Sequence, residues 1–289
     1  MSTSDPTTTP SPSGADADQP TVDRDRSDAG QVVADAAEVY ETFFVPALFS
    51  DWPPILLDRA GVTDGNRILD VGCGTGVLAR AAVEWVGAAG EVVGVDLNPG
   101  MLAVAGRAAT EVTWRQGAAE ELPFDDDSFD RVLSQFALMF FADRDAGVGE
   151  MARVARPGTP VTVATWATLD DTPGYAAMAA LLDRLFGPEV ASAIEAPYVL
   201  GRPDDVTDLL STHLDGVTVE VVDGTARFPS IDDWVRTDIR GWTLADVLSD
   251  AQFDVLIAEA RRDLARFADD DGRVRFTAPA VVATGRARS

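Results

Sequence analysis

The sequence predicts an α/β protein built on a mostly parallel sheet with helices on both faces. Two observations carry that reading. Between residues 67 and 166, short β-rich runs alternate with helical runs, the pattern of consecutive βαβ units. The first of those runs, Arg67 to Gly72, leads into glycines at 72, 74 and 76 and then into a helix. α/β sheets use such a turn to bind ligands at the carboxyl ends of their strands.

The elements follow in order. Residues 1 to about 30 are Ser, Thr, Pro, Asp and Gly with almost no large apolar side chains, and are expected to form a disordered acidic tail. Ordered structure, residues 31–289, is expected as one domain. From Gln31 to Gly61 the apolar spacing is helical, with interruptions expected at Pro46 and at Pro53-Pro54. Strands are predicted at 67–72, 91–96, 111–116, 129–135 and 160–166, with helices after the first, second and fourth. The rhythm then changes. Residues 168 to about 213 read as an irregular helical insertion, expected to cap a binding site. The region 214–289 reads as further strands and helices: 217–228 as one long strand or a strand pair, then helices, then a last strand over 274–286.

Composition narrows the function classes. The 289 residues carry 48 Asp+Glu against 23 Lys+Arg, a net charge of −25, and every one of the basic residues is arginine. Nucleic-acid binding needs a clustered basic footprint, and anionic membranes need the same, so neither partner is expected. No apolar run approaches the roughly 20 residues of a membrane span, and no secretory leader is legible, so the expected location is cytoplasmic. With one cysteine and one histidine, an intramolecular disulfide is excluded and no metal site is expected. A GC-rich genome explains arginine without lysine but not the acidic excess. Adaptation to molar salt explains both, and is favoured over an acidic mesophilic enzyme.

Three motifs carry chemistry. Asp70-Val71-Gly72-Cys73-Gly74-Thr75-Gly76 is spaced G-x-G-x-G, with Val77 where a dinucleotide fingerprint would continue toward its third glycine. Asp96 ends the second strand 20 residues after Gly76, where a carboxylate can accept hydrogen bonds from two ribose hydroxyls. Gln116-Gly117-Ala118-Ala119-Glu120-Glu121-Leu122-Pro123-Phe124 follows the third strand. Further on come Ser134-Gln135-Phe136 and Arg156-Pro157-Gly158.

As a set, these motifs resemble the class I S-adenosylmethionine-dependent methyltransferases, in the broad group that includes the ubiquinone and menaquinone C-methyltransferases. The resemblance covers roughly residues 35–166. A set of prokaryotic methyltransferases is also similar upstream, in a Tyr-x-x-Phe-x-Val-Pro-Ala-Leu-Phe segment matched by Tyr40 to Phe49. The resemblance implies a Rossmann-like seven-stranded sheet and S-adenosylmethionine as cofactor. It implies that Asp70, Gly72, Gly74, Thr75 and Gly76 receive the methionine moiety, and that Asp96 holds the ribose. Leu97 and Met101 would lie against the adenine, Ala118 and Ala119 at its edge, and Gln135 near the sulfonium, with Tyr40 folding over as a lid. Ala118 departs from the Asp or Asn frequent in the family, removing a side-chain bond to the adenine amino group. Thr159 replaces a glycine of the Arg-Pro-Gly-Gly turn.

The implied reaction is methyl transfer to a small-molecule acceptor by in-line displacement. An NAD(P)-dependent oxidoreductase and a non-catalytic S-adenosylmethionine-binding regulator are the alternatives. No catalytic residue is fixed by sequence: Tyr40, Gln135 and His213 are candidates, His213 being better read as a surface or helix-end residue. Tyr175, Tyr198 and the acidic residues are further proton acceptors. Cys73 reads as small packing rather than as a nucleophile. Phe43, Phe44, Trp52, Phe136, Phe140 and Trp166 are candidates to wall an apolar acceptor pocket, with Phe136 favoured as core.

Overall fold

The computed structural model describes residues 34–240 and 247–288, so the expectation of a disordered tail at 1–30 lies outside the described residues. The strands are β1 (Arg67–Val71), β2 (Glu91–Asp96), β3 (Thr113–Gln116), β4 (Arg131–Gln135), β5 (Pro160–Trp166), β6 (Leu214–Val222), β7 (Thr225–Phe228), β8 (Val274–Thr277) and β9 (Ala280–Ala287). Seven form one sheet in the order β3-β2-β1-β4-β5-β9-β6. β1 to β5 are parallel, and β9 runs antiparallel to both of its neighbours. β1 and β5 are buried along nearly their whole length, as strands covered on both faces must be. The predicted fold class stands.

The helices are α1 (Ala34–Val39), α2 (Pro53–Arg59), α3 (Val77–Val86), α4 (Pro99–Ala108), α5 (Arg144–Val154), α6 (Pro173–Phe186), α7 (Pro188–Glu195), α8 (Pro203–Ser211), α9 (Ile231–Arg240) and α10 (Asp250–Asp263). Strand order reverses between β1 and β4. Right-handed crossovers on either side of that point send their helices to opposite faces. α2 and α3 pack together on one face, and α5 and α8 pack on the other, against β4, β9 and β6. The reversal opens a crevice above the carboxyl ends of β1 and β4.

Four expectations are corrected. Pro46 does not interrupt the first helical region. It sits inside a π-helical stretch, Tyr40–Phe49, that continues directly from α1 and whose wider turn absorbs the missing N–H. Pro53 and Pro54 start α2 rather than breaking a helix, since first-turn N–H groups need no partner. The run 217–228 holds two strands, as its strand-pair reading expected, but they do not pair with each other: β6 joins the main sheet, whereas β7 pairs with β8 in a separate two-stranded sheet. The expected last strand divides into β8 and β9 at Ala278-Pro279, where proline supplies no donor to extend the ladder.

The helical cap also differs from the predicted 168–213. α8 covers the sheet and belongs to the core. α6 and α7 are joined above the sheet by β7, β8, α9 and α10, so the cap is assembled from two separate stretches of chain. Its own centre is aromatic: fully buried Trp234 packs against Tyr175, Phe228, Phe267 and Phe276.

Candidate cofactor and acceptor site

The glycine loop takes its shape from backbone conformations that glycine alone adopts readily. Gly72 and Gly76 have φ of +70° and +87°. A Cβ at Gly72 would lie 2.3 Å from the Ala137 Cβ, and one at Gly76 2.3 Å from the Trp114 indole. The loop is held by Gly72 and Cys73, whose N–H groups donate to the Val95 carbonyl at 2.8 and 2.9 Å.

Asp96 ties this loop to the next. One carboxylate oxygen accepts from the Gly74 N–H and the other from the Asn98 N–H, each at 2.8 Å. Each oxygen retains a lone pair for a further donor. Asn98 in turn caps α4 through the Gly100 N–H at 2.8 Å. Burial raises the Asp96 carboxyl above its ordinary range, with those two N–H groups pulling the other way.

Asp70, at the end of β1, is 1% exposed. One oxygen accepts from the Ala79 N–H at 3.1 Å, and the other is buried with no partner among the described residues. Burial pushes this carboxyl up to about 7; the Ala79 N–H opposes the shift, and the charge of Asp96 adds to it. Thr75 Oγ1, Ser134 Oγ, Gln135 Oε1 and Glu41 Oε2 are likewise buried without partners among the described residues. A buried polar atom left unpaired costs about 1–3 kcal/mol. Most of these lie at the carboxyl end of β1 or β4, as expected of a place whose partners arrive with a ligand.

Tyr40 covers the loop. Its Cε1 is 3.9 Å from where a Gly74 Cβ would stand, and its ring stacks on Phe44 and Phe49 at 5.7 and 5.3 Å. Burial and the charges of Asp96, Glu41 and Asp70 raise its phenol far above the ordinary value, which favours the protonated form. Arg80 pairs with Glu41 at 2.7 Å and donates to the Thr75 carbonyl, joining cover to loop.

The remaining predicted residues are placed as follows. Met101 is buried with Ala37 and Val104 beneath Tyr40, while Leu97 is half exposed. Ala118 is half-buried and Ala119 buried, next to Gly117, whose N–H donates to the Asp96 carbonyl at 3.1 Å. Gln135 is half-buried and its Nε2 donates to the Phe49 carbonyl at 3.4 Å. Burial raises the Cys73 thiol well above its usual value, which keeps it unreactive.

His213 lies at a helix end, as its favoured reading expected, and its weaker reading as the base is corrected. It precedes β6, whose first residue pairs with Ala287 at the end of β9, so it lies at the amino edge of the parallel strands. Its Nε2 is 3.0 Å from Asp145 Oδ1. The whole length of the sheet separates it from Asp70 and Gln135, and it cannot serve as the base.

A second cavity adjoins the first site. Leu48, Phe49 and Trp166 wall it from the sheet side, Tyr175, Tyr198 and Asp238 from the cap. Of the six aromatic residues predicted as walls, only Trp166 lines it. Phe43 is exposed, Phe44 and Trp52 are core, and Phe136 backs Trp166 in a stacked pair with centroids 3.9 Å apart. Asp238 went unmarked in the sequence. The available signal was an acid on the buried stripe of α9, four residues after Trp234.

Comparison with known proteins agrees with this architecture. Residues 68–158 match the family described as "methyltransferase domain". An uncharacterized protein of Mycobacterium tuberculosis is 34% identical over 169 residues, which is 57% of this chain and 58% of that protein. A ubiquinone/menaquinone biosynthesis C-methyltransferase of Idiomarina loihiensis is 35% identical over 143 residues, 47% of this chain and 57% of that one. The chain thus spans under two thirds of the length of these curated relatives. The YcgJ protein of Bacillus subtilis superposes with a TM-score of 0.56 at 21% identity, covering 83% of this chain and 99% of that one. A phosphoethanolamine N-methyltransferase of Haemonchus contortus, solved with S-adenosyl-L-methionine, does so at 0.56 and 23%, covering 89% and 57%. Residues 68–158 thus match a methyltransferase domain on a fold shared with solved methyltransferases, which agrees with the resemblance to the class I S-adenosylmethionine-dependent enzymes, and an NAD(P)-dependent oxidoreductase is not favoured.

Proposed function

We propose that the protein transfers a methyl group from S-adenosylmethionine to a small-molecule acceptor. The observation that carries this reading is the set of unpaired buried polar atoms around the glycine loop, with the Asp96 carboxylate beside it. These residues fit the cofactor by chemistry. Asp70 offers its free oxygen to the methionine ammonium, and Thr75 its hydroxyl to the methionine carboxylate. Asp96 keeps lone pairs for two ribose hydroxyls, and the Ala118-Ala119 backbone borders the adenine. When bound, the cofactor supplies an electrophilic methyl group on a sulfonium. The chain's own part is alignment and exclusion of water, through Tyr40, Phe49 and the cap.

Calorimetric titration with S-adenosylmethionine tests the reading. Each hydrogen bond to a charged group is worth about 1.5–3 kcal/mol, so Asp96→Ala weakens binding at least about tenfold. Unchanged affinity in that variant would sink the ribose assignment. Release of S-adenosylhomocysteine from labelled cofactor in the presence of metabolite extract separates an enzyme from a regulator that only binds.

A further inference from the structure

We propose that the cavity between Phe49, Trp166 and the cap is the acceptor site, and that it takes a small protonated amine, paired to Asp238. The proposal rests on the methyltransferase reading above and names the acceptor chemistry for it.

Asp238 is 3% exposed and lines this cavity. Its Oδ1 accepts from the Tyr175 hydroxyl at 3.1 Å, and its Oδ2 has no hydrogen-bond partner among the described residues. The Trp234 indole N–H, one turn earlier on α9, is near but outside hydrogen-bonding geometry. A buried carboxylate oxygen without a donor asks for one, and a cationic donor repays the desolvation best. The other polar groups acting on Asp238 across the cavity are the phenols of Tyr175 and Tyr198.

The walls favour the same charge. Phe49 and Trp166 lie 5.8 Å apart on one side, and Tyr175 and Tyr198 6.0 Å apart on the other. Aromatic faces around a carboxylate attract an ammonium and give nothing extra to a neutral hydroxyl. The cavity also meets the cofactor edge. Phe49 is the shared wall, stacked on Tyr40 over the glycine loop and held through its carbonyl by Gln135.

Asp238 also has the basicity to take a proton from such a guest. Burial pushes its carboxyl up to about 8, against the pull of Tyr175 and Trp234. Burial disfavours two separated charges, which favours passing the proton from the ammonium to the carboxylate. The proton passes from nitrogen to Oδ2. The freed lone pair attacks the methyl carbon as the carbon–sulfur bond breaks to a neutral thioether. Ammonium, sulfonium and carboxylate thereby become N-methylammonium, thioether and carboxylic acid, with atoms and charge conserved.

The test uses ethylamine and its neutral isostere ethanol, titrated into protein saturated with S-adenosylhomocysteine in molar KCl. The native protein is expected to prefer the amine by about tenfold or more, and Asp238→Asn to lose that preference while binding S-adenosylhomocysteine as before. A purely structural Asp238 would weaken both probes alike. Should Asp238→Asn fail to fold, Tyr175→Phe gives the same comparison at lower amplitude, about threefold on the amine alone. Equal affinity for the two probes, no amine binding by the saturated protein, or a preference that survives in Asp238→Asn overturns the proposal. Failure of the native protein to bind S-adenosylhomocysteine would instead overturn the methyltransferase reading on which it stands.

Discussion

Asp70 and Asp238 are carboxyls that folding removes from water, and both are raised as a result, to about 7 and about 8. The native state therefore holds protons that the unfolded chain releases near pH 4, and stability falls as pH rises through that interval. Around Asp238 the titratable neighbours are Tyr175 on α6 and Tyr198 in the turn after α7, both of which stay protonated there. Asp238→Asn is accordingly expected to lower the slope of stability against pH by up to one proton between about pH 4 and 8, as read by urea denaturation. An unchanged slope would place the Asp238 carboxyl at its ordinary acidity. Gly76 predicts a different loss, because a methyl group there must displace Trp114 as well as hold a left-handed backbone. Gly76→Ala should destabilise the fold by about 2–4 kcal/mol. The glycine and aspartate positions are legible in sequence because a turn of known shape dictates local spacing. Asp238 is not, because its partner Tyr175 comes from 63 residues earlier in the chain.

Individual elements were readable to the extent that their determinants are local. β2 and β5 fall where alternating and continuous apolar runs predict them, and α3 begins directly after the glycine loop. α8 has the amphipathic pattern of a cap helix and of a sheet-covering helix alike, so only packing assigns it to the core. Likewise β6 and β7 are adjacent in sequence yet belong to different sheets, a choice made by their partners β9 and β8. The His213–Asp145 contact is made between the end of α8 and the start of α5. His213→Ala is therefore expected to leave the rate of methyl transfer within about twofold of the native protein, since an exposed pair of this kind is worth at most about 1 kcal/mol. A large fall in rate with cofactor binding intact would return histidine to the mechanism.

At the scale of the whole molecule the net charge is −25, and among the described residues Asp70 and Asp238 are buried while nearly all other carboxylates reach the surface. Arginines pair with many of them, including Arg59 with Glu220, Arg261 with Asp232 and Arg288 with Asp215. Salt weakens such exposed pairs, but it screens the larger net repulsion too, within about 3 Å at 1 M. Our reading of the surface as solvation in molar salt predicts that the melting temperature rises steadily from dilute buffer to 2 M KCl. A flat or falling profile in differential scanning calorimetry would detach the acidity from salt. Among the described residues, no helix is long and apolar enough to cross a membrane.

By itself the sequence determined the alternation of strands and helices, the glycine loop after β1, and the carboxylate at the end of β2. Each of these follows from periodicity or from steric limits acting over a few residues. The tertiary structure alone decided which helices form the cap, which edge of the sheet His213 occupies, and that an acid on α9 meets two tyrosines and a tryptophan around one cavity. Those are contacts between distant parts of the chain, settled by which apolar faces bury one another.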